Sequence, residues 1–133
     1  MIFVGVDVGG TKTAVAVADR VGKLLSQQKR PTDVTQLVAT IRDAIRAAVV
    51  DAGCACADIA AIGIGVPGMV NRVVGTVELA TNLRIDRPLA LGGLLAAEFN
   101  TPVLIENDAR LGKSVEEEPG LEPDEPSAED LLG

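Results

Sequence analysis

Three short apolar runs restrict the folds that this chain of 133 residues can adopt. They cover residues 2–8, 59–66 and 102–106, and glycine, proline or polar residues follow each run at once. Runs of this length are typical of strands that are buried on both faces of a sheet. Because helical segments separate these runs, the pattern indicates an α/β fold.

Turns and one strongly periodic segment connect the first two runs. Turns at residues 9–12 and 19–22 predict an antiparallel meander, with further strands at 13–18 and 23–29. Apolar residues then recur at helical spacing over residues 34–52, which predicts an amphipathic helix.

The sequence also predicts where that helix begins and ends and which elements follow it. Asp33 followed by Gln36 resembles a capping box, and Gly53 fits the C-terminal stop. Residues 69–80 predict short strands around a glycine. Residues 88–99 predict a weaker helix, because two glycines lie within it.

Charge divides the chain into a body and a tail. Residues 1–113 hold 11 acidic and 12 basic residues, a net charge of +1, whereas residues 114–133 hold 8 acidic and no basic residues. The tail is acidic and broken by prolines, so we expect an ordered domain over 1–113 and a disordered tail over 114–133. The body has no basic excess, and the chain has two Phe and no Trp or Tyr. We therefore expect no nucleic-acid partner.

Composition also bears on the compartment. No apolar run approaches the roughly 18 residues of a membrane span, and the N-terminus lacks the charged start and cleavage site of a signal peptide. Cys54 and Cys56 are too close together for an unstrained disulfide framework. We expect a cytoplasmic protein without membrane partners, and no zinc site, since the chain contains no His.

Two glycines follow the first apolar run. Gly9 and Gly10 allow the backbone to approach an anion closely, and Thr11 and Lys12 add a hydroxyl donor and a positive charge. Asp7, at the end of the run, is placed to hold a water of a magnesium shell. The alternative is an ordinary hairpin turn with a surface lysine, and the spacing is not that of a Walker loop.

Polar residues and glycine follow the other two runs. Asn107 and Asp108 come after the third run, and ligands of open α/β sheets collect at the carboxyl ends of strands. Asp108 could take a proton from an attacking hydroxyl, or it could cap a following helix. Gly68 is either a turn residue or a backbone wall beside a polar ligand. Asn82 is either a solvated loop residue or a hydroxyl contact.

Together these pieces resemble the N-terminal lobe of the ROK family (repressors, open reading frames, kinases), which has the actin-like, hexokinase-type fold. The resemblance lies within residues 2–112 and implies the first lobe only, with a ribonuclease H-like mixed sheet and helices. It is carried by VGVDVGGTK at 4–12, GIGVPG at 63–68, GTV at 75–77, ATNL at 80–83 and PVLIENDA at 102–109.

The resemblance implies phosphoryl transfer from ATP to a hydroxyl of glucose or a related hexose. Asp108 would be the catalytic base, and Asn107, Gly68 and Asn82, with Asp108, would hold the sugar. The Gly9–Lys12 turn would face the ATP phosphates, and Asp7 would lie near Mg²⁺.

The family pattern is incomplete in this chain. Members continue after Ala109 into a long helix and a second lobe with a further phosphate loop, the adenosine pocket and, in most members, a zinc site. Here residues 110–114 lead into acidic, proline-rich sequence. We therefore expect a truncated kinase with little turnover by itself, and an exposed apolar surface that leads to self-association or receives the missing lobe. Repressor members begin with a DNA-binding domain, whereas this chain begins on the first strand.

Two other functions remain open. The chain could be a non-catalytic module that binds a sugar or a phosphate, or an interaction module that uses its acidic tail. It could also be a lobe of a BadF-type ATPase or N-acetylhexosamine kinase, which opens with a similar glycine-rich Asp-turn-Thr-Lys signature. The Pro67-Gly68 strand end and the Glu106–Ala109 segment favour the ROK family.

Overall fold

A computed structural model describes residues 1–108, which form one five-stranded mixed sheet, a small two-stranded sheet and two helices. The predicted tail over 114–133 lies outside the described residues. The large sheet has the order β3-β2-β1-β4-β7, and β1, β4 and β7 are parallel. The elements are β1 (Ile2–Val8), β2 (Lys12–Asp19), β3 (Leu24–Pro31), α1 (Leu37–Asp51), β4 (Ile59–Val66), β5 (Met69–Asn71), β6 (Thr76–Leu79), α2 (Leu91–Phe99) and β7 (Val103–Asn107).

The core lies between the two helices and one face of the large sheet, which we call the helix face. Val6 of β1 pairs with Ile64 of β4, and Ile64 pairs with Ile105 of β7. All three side chains are buried because α1 packs against β1–β3 and α2 packs against β7. The strand order and bounds confirm the meander and the three apolar strands predicted from sequence.

The helix starts differ from the prediction for local reasons. Asp33 Oδ1 accepts a hydrogen bond from the Thr35 amide at 3.0 Å, and the bonds from Thr35 lower the pKa of Asp33 below its usual value. Asp33 thus caps a 3₁₀ turn at Val34–Gln36, and α1 begins only at Leu37. The predicted capping box is wrong, because the Asp33 amide donates to the Thr40 hydroxyl at 3.4 Å and not to the Gln36 side chain.

The second helix is shorter than residues 88–99. Its predicted first turn is not helical, because the amide and the carbonyl of Leu89 both form hydrogen bonds with the backbone of Val77 at 2.9 Å. This bridge holds Leu89 extended beside β6, so α2 begins at Leu91.

The opposite face of the large sheet is open within residues 1–108, and we call it the open face. Phe3 is 41% exposed and Leu104 is 55% exposed, and a Cβ at Gly63, between them on β4, would meet no atom within 4 Å. The expectation that the parallel strands are buried on both faces is therefore wrong for the described residues. Parallel sheets are normally covered on both faces, so this face is a surface that a further layer would cover.

No helix within residues 1–108 is long and apolar enough to cross a membrane.

We expect the chain to self-associate through the open face, because it presents large apolar side chains to water. Leu104→Lys should raise the apparent dissociation constant of the self-association about tenfold. Multi-angle light scattering over a concentration series measures this change. Val73→Lys is the matched control, since Val73 is 94% exposed at the tip of the β5–β6 hairpin. A chain that stays monomeric at all concentrations would contradict the expectation.

Candidate functional site

The ends of three strands meet at one edge of the large sheet. Because β1, β4 and β7 are parallel, their carboxyl ends lie side by side. Asp7 pairs with Gly65, and Gly65 pairs with Glu106, so these residues form one row across the sheet. The residues that follow this row on the three strands include every candidate at positions 9–12, 68, 107 and 108. This edge is where open α/β sheets bind ligands.

The Gly9–Lys12 turn joins β1 to β2 at this edge. The Gly9 amide donates to the Lys12 carbonyl at 2.8 Å, and a Cβ on Gly9 would lie 2.9 Å from that same oxygen. The turn therefore uses the Gly9 amide for its own closure and needs glycine there for space. Thr11 and Lys12 are exposed beside it. The amides that this turn can offer to a phosphate are those of Gly10 and Thr11.

Asn82 lies directly beside this turn. A Cβ on Gly10 would approach the Asn82 carbonyl oxygen to 3.0 Å and the Asn82 Cβ to 3.4 Å. Asn82 belongs to the 3₁₀ turn Thr81–Leu83, which is anchored by the buried side chain of Leu83. The close approach of two backbones at Gly10 thus brings together residues that are 72 positions apart in the sequence.

Gly68 and Asn107 are joined by a hydrogen bond. The Asn107 side-chain amide Nδ2 donates to the Gly68 carbonyl, which ties the end of β7 to the start of β5. Gly68 has φ +106°, and a Cβ there would overlap the Leu79 carbonyl oxygen and lie 2.9 Å from Ala80 Cα. No side chain fits this position, which explains why glycine follows Pro67 here.

These contacts form one continuous wall. It runs from the glycine turn through residues 80–82 to Gly68 and then to Asn107 at the end of β7. Asp108 follows Asn107 directly and is half-buried. The structure therefore brings Gly10 against Asn82 and Gly68 against Asn107, and places both pairs at the edge that Asp7 and Asp108 share.

One ion pair at this edge has no counterpart in the sequence analysis. Arg72 Nη1 lies 2.8 Å from Glu106 Oε1, and Glu106 directly precedes Asn107. The partners are 34 residues apart, and Arg72 lies in the turn between β5 and β6. The one sequence signal that points to it is the single charged residue in that turn.

Within residues 1–108, no group of three or more His, Cys, Asp or Glu side chains is placed to hold a metal ion. Mg²⁺ in phosphate-transfer sites is commonly held by one or two carboxylates together with substrate phosphates and water. The half-buried carboxylate of Asp7, at the end of β1 and next to the glycine turn, fits this kind of site.

The fold is that of an actin-like ATPase lobe, and it matches solved ROK kinases. A ROK-family glucokinase from Streptomyces griseus, solved with glucose and AMPPNP, superposes with a TM-score of 0.73 at 35% identity, over 87% of this chain and 36% of the other.

The chain belongs to the ROK family, whose sequence model matches residues 3–122. This match decides against a BadF-type ATPase lobe and leaves an N-acetylhexosamine kinase open. A glucokinase of Streptomyces coelicolor is 44% identical over 109 residues, which are 81% of this chain and 33% of the relative. A xylose repressor of Caldicellulosiruptor bescii is 32% identical over 114 residues, 83% of this chain and 28% of the relative. The chain thus spans about a third of the length of these relatives.

The close packing around Gly68 can be tested by comparing the cost of an added Cβ there with the cost at a second glycine of positive φ. Gly68→Ala should lower the free energy of unfolding by about 3 kcal/mol, because left-handed strain adds to overlap with Leu79. Gly22 has φ +88°, and a Cβ added there would meet no atom within 4 Å. Gly22→Ala should therefore cost about 1 kcal/mol. Urea denaturation measures both values, and equal losses would contradict the packing described for Gly68.

Proposed function

We propose that this chain is the sugar-binding lobe of an ATP-dependent hexose kinase of the cytoplasm, and that it carries the catalytic base. The observation that supports this most directly is the Asn107–Gly68 hydrogen bond beside Asp108, at the edge of the sheet that also carries the glycine turn. The structure of the S. griseus glucokinase with glucose and AMPPNP, an analogue of ATP, supports glucose and ATP as the substrates.

In this proposal Asp108 accepts the proton of the attacking sugar hydroxyl. A positioned base contributes about 10²–10⁴ to the rate of such a reaction. Asn107 and Asn82 offer amide groups to sugar hydroxyls, and the exposed backbone of Gly68 forms the surface between them. In this proposal the side-chain oxygen of Asn107, which has two lone pairs, accepts from a sugar hydroxyl while Nδ2 donates to Gly68.

The phosphate side of the proposal rests on the Gly9–Lys12 turn. The amides of Gly10 and Thr11, the Thr11 hydroxyl and the Lys12 ammonium would bind phosphate oxygens, and Gly9 shapes the turn. Asp7 would hold Mg²⁺, directly or through water, and the ion would neutralise charge on the transferring phosphoryl group.

Catalytic turnover requires more groups than this wall of the site provides. Phosphoryl transfer depends mainly on positioning and on charge stabilisation from several sides, and a base alone is insufficient. We propose that these 133 residues bind hexose weakly and that efficient transfer requires the part of the family architecture that they do not span.

Hexose binding should be visible in the chain itself. Titrating glucose into ¹⁵N-labelled protein should shift the signals of Gly68 and Asn107, because these groups would contact the sugar. Asn107→Ala should weaken this binding about tenfold, through the loss of a hydrogen bond and of the tie to Gly68. Gln27→Ala is the matched control, since Gln27 is an exposed amide on β3, away from the strand ends that form the candidate site. Unchanged spectra at high glucose would contradict the proposal.

A coupled assay with glucose and ATP tests the catalytic part. We expect the chain alone to give almost no sugar phosphate, and Asp108→Asn to leave glucose binding within about twofold of the parent. Robust turnover that Asp108→Asn abolishes would refute the need for a second lobe and support Asp108 as the base.

The xylose repressor match favours one alternative function, which is a sugar-binding module without catalytic activity. A sugar-phosphate product, even at a low rate, would exclude that alternative.

A further inference from the structure

The β5–β6 hairpin is fixed to the rest of the lobe at its base, in its turn and along β6. At its base, Asn107 donates to the Gly68 carbonyl. In its turn, Arg72 pairs with Glu106 at 2.8 Å. At the far end of the turn, the Gly92 amide of α2 donates to the Gly75 carbonyl at 2.9 Å. β6 is also held by the two 2.9 Å backbone bonds between Val77 and Leu89, whereas Val73 and Val74 are exposed at the tip of the hairpin.

Two of these attachments use consecutive residues of β7. Glu106 and Asn107 are neighbours in one strand, and neighbouring side chains of a strand point to opposite faces. The hairpin is therefore attached to both faces of the end of β7. An end that is held on both faces has little freedom to rotate, and the residue that follows it is Asp108.

The Arg72–Glu106 pair is less exposed to water than an ordinary surface ion pair. The Glu106 side chain is only 12% exposed, whereas the Arg72 side chain is 48% exposed. A carboxylate that is largely removed from water depends on charged or hydrogen-bonded partners. By comparison, Arg87 and Asp86 lie 3.9 Å apart with both side chains about 90% exposed, and that pair contributes little.

We infer that Arg72 is a positioning residue for the sugar site, an inference that rests on the proposed function. Through Glu106 it holds the hairpin against β7, and this keeps the Gly68 carbonyl within reach of Asn107 Nδ2. With the bond formed, the Asn107 amide has one orientation and the following Asp108 carboxylate is held in register with it. Arg72 itself need not touch the sugar.

The first test needs no ligand. The two Nδ2 protons of Asn107 give resolved ¹⁵N signals, which Asn107→Asp identifies by their loss. In Arg72→Ala the solvent-exchange rate of these protons should rise about tenfold, while the Ile62 amide, which bonds to Pro102 in the core, keeps its protection. Glu106→Gln should act in the same direction. Arg72→Lys should restore most of the protection, because it keeps the charge. Arg87→Ala is the control.

Two results would overturn the inference. One is an unchanged Asn107 exchange rate in Arg72→Ala. The other is an equal loss of protection at Asn107 and at Ile62, because the ion pair would then stabilise the lobe as a whole without orienting the site.

The second test separates this inference from the proposed function. Glucose affinity, measured by the same ¹⁵N titration, should fall about fivefold in Arg72→Ala and recover in Arg72→Lys. If the parent chain binds no glucose but the Asn107 exchange responds as expected, the hexose proposal fails and the positioning by Arg72 stands. If glucose binds and Arg72→Ala changes neither the exchange nor the affinity, the positioning fails and the hexose proposal stands.

Discussion

The parallel pairing of β1, β4 and β7 is the constraint on which the rest of the structure depends. The register is set by the row of Val6, Ile64 and Ile105, which must face the helices. A shift by one residue would turn that row to the open face and expose it. The same register places Asp7, Gly65 and Glu106 in the next row and brings the three strand ends together. Burial of the core and assembly of the candidate site therefore follow from one pairing.

Close approaches at glycine build the site upon that edge. Gly10 admits the Asn82 carbonyl, Gly68 admits residues 79–80, and Gly75 packs against Gly92 of α2. An added Cβ would overlap backbone at Gly68, lie 2.9 Å from the Gly75 carbonyl oxygen at Gly92 and lie 3.0 Å from the Asn82 carbonyl oxygen at Gly10, so two stretches of backbone meet closely at each point. The wall of the candidate site is thus mainly backbone, with a few amide and carboxylate side chains placed on it. Such a surface suits a ligand that carries many hydroxyl groups, because backbone carbonyls and amides bind them without side-chain rearrangement.

The strands and α1 were predictable because their signals are local: apolar runs, turns and helical spacing. What depends on distant partners was not. The late start of α2 follows from the bridge between Leu89 and Val77, and the Arg72–Glu106 pair joins residues that are 34 positions apart. The order of the motifs along the sequence indicates the site residues, whereas their grouping at one edge follows from the parallel register. That Gly9 uses its amide to close the turn could not be read from two adjacent glycines, since it depends on the position of the Lys12 carbonyl.

If the glycine turn binds ATP phosphates as proposed, its hydrogen-bond donors limit how tightly one lobe can hold a nucleotide. With the Gly9 amide bonded to Lys12, the turn offers two amides, one hydroxyl and one ammonium to a triphosphate that carries many acceptor oxygens. Thr11 and Lys12 are exposed, so water competes for their groups and screens the charge of Lys12. A second wall would add donors from the opposite side and exclude water, which strengthens every bond already present. In the proposed kinase, one partner layer packed against residues 1–108 would thus both cover the open face of the sheet and complete the phosphate site.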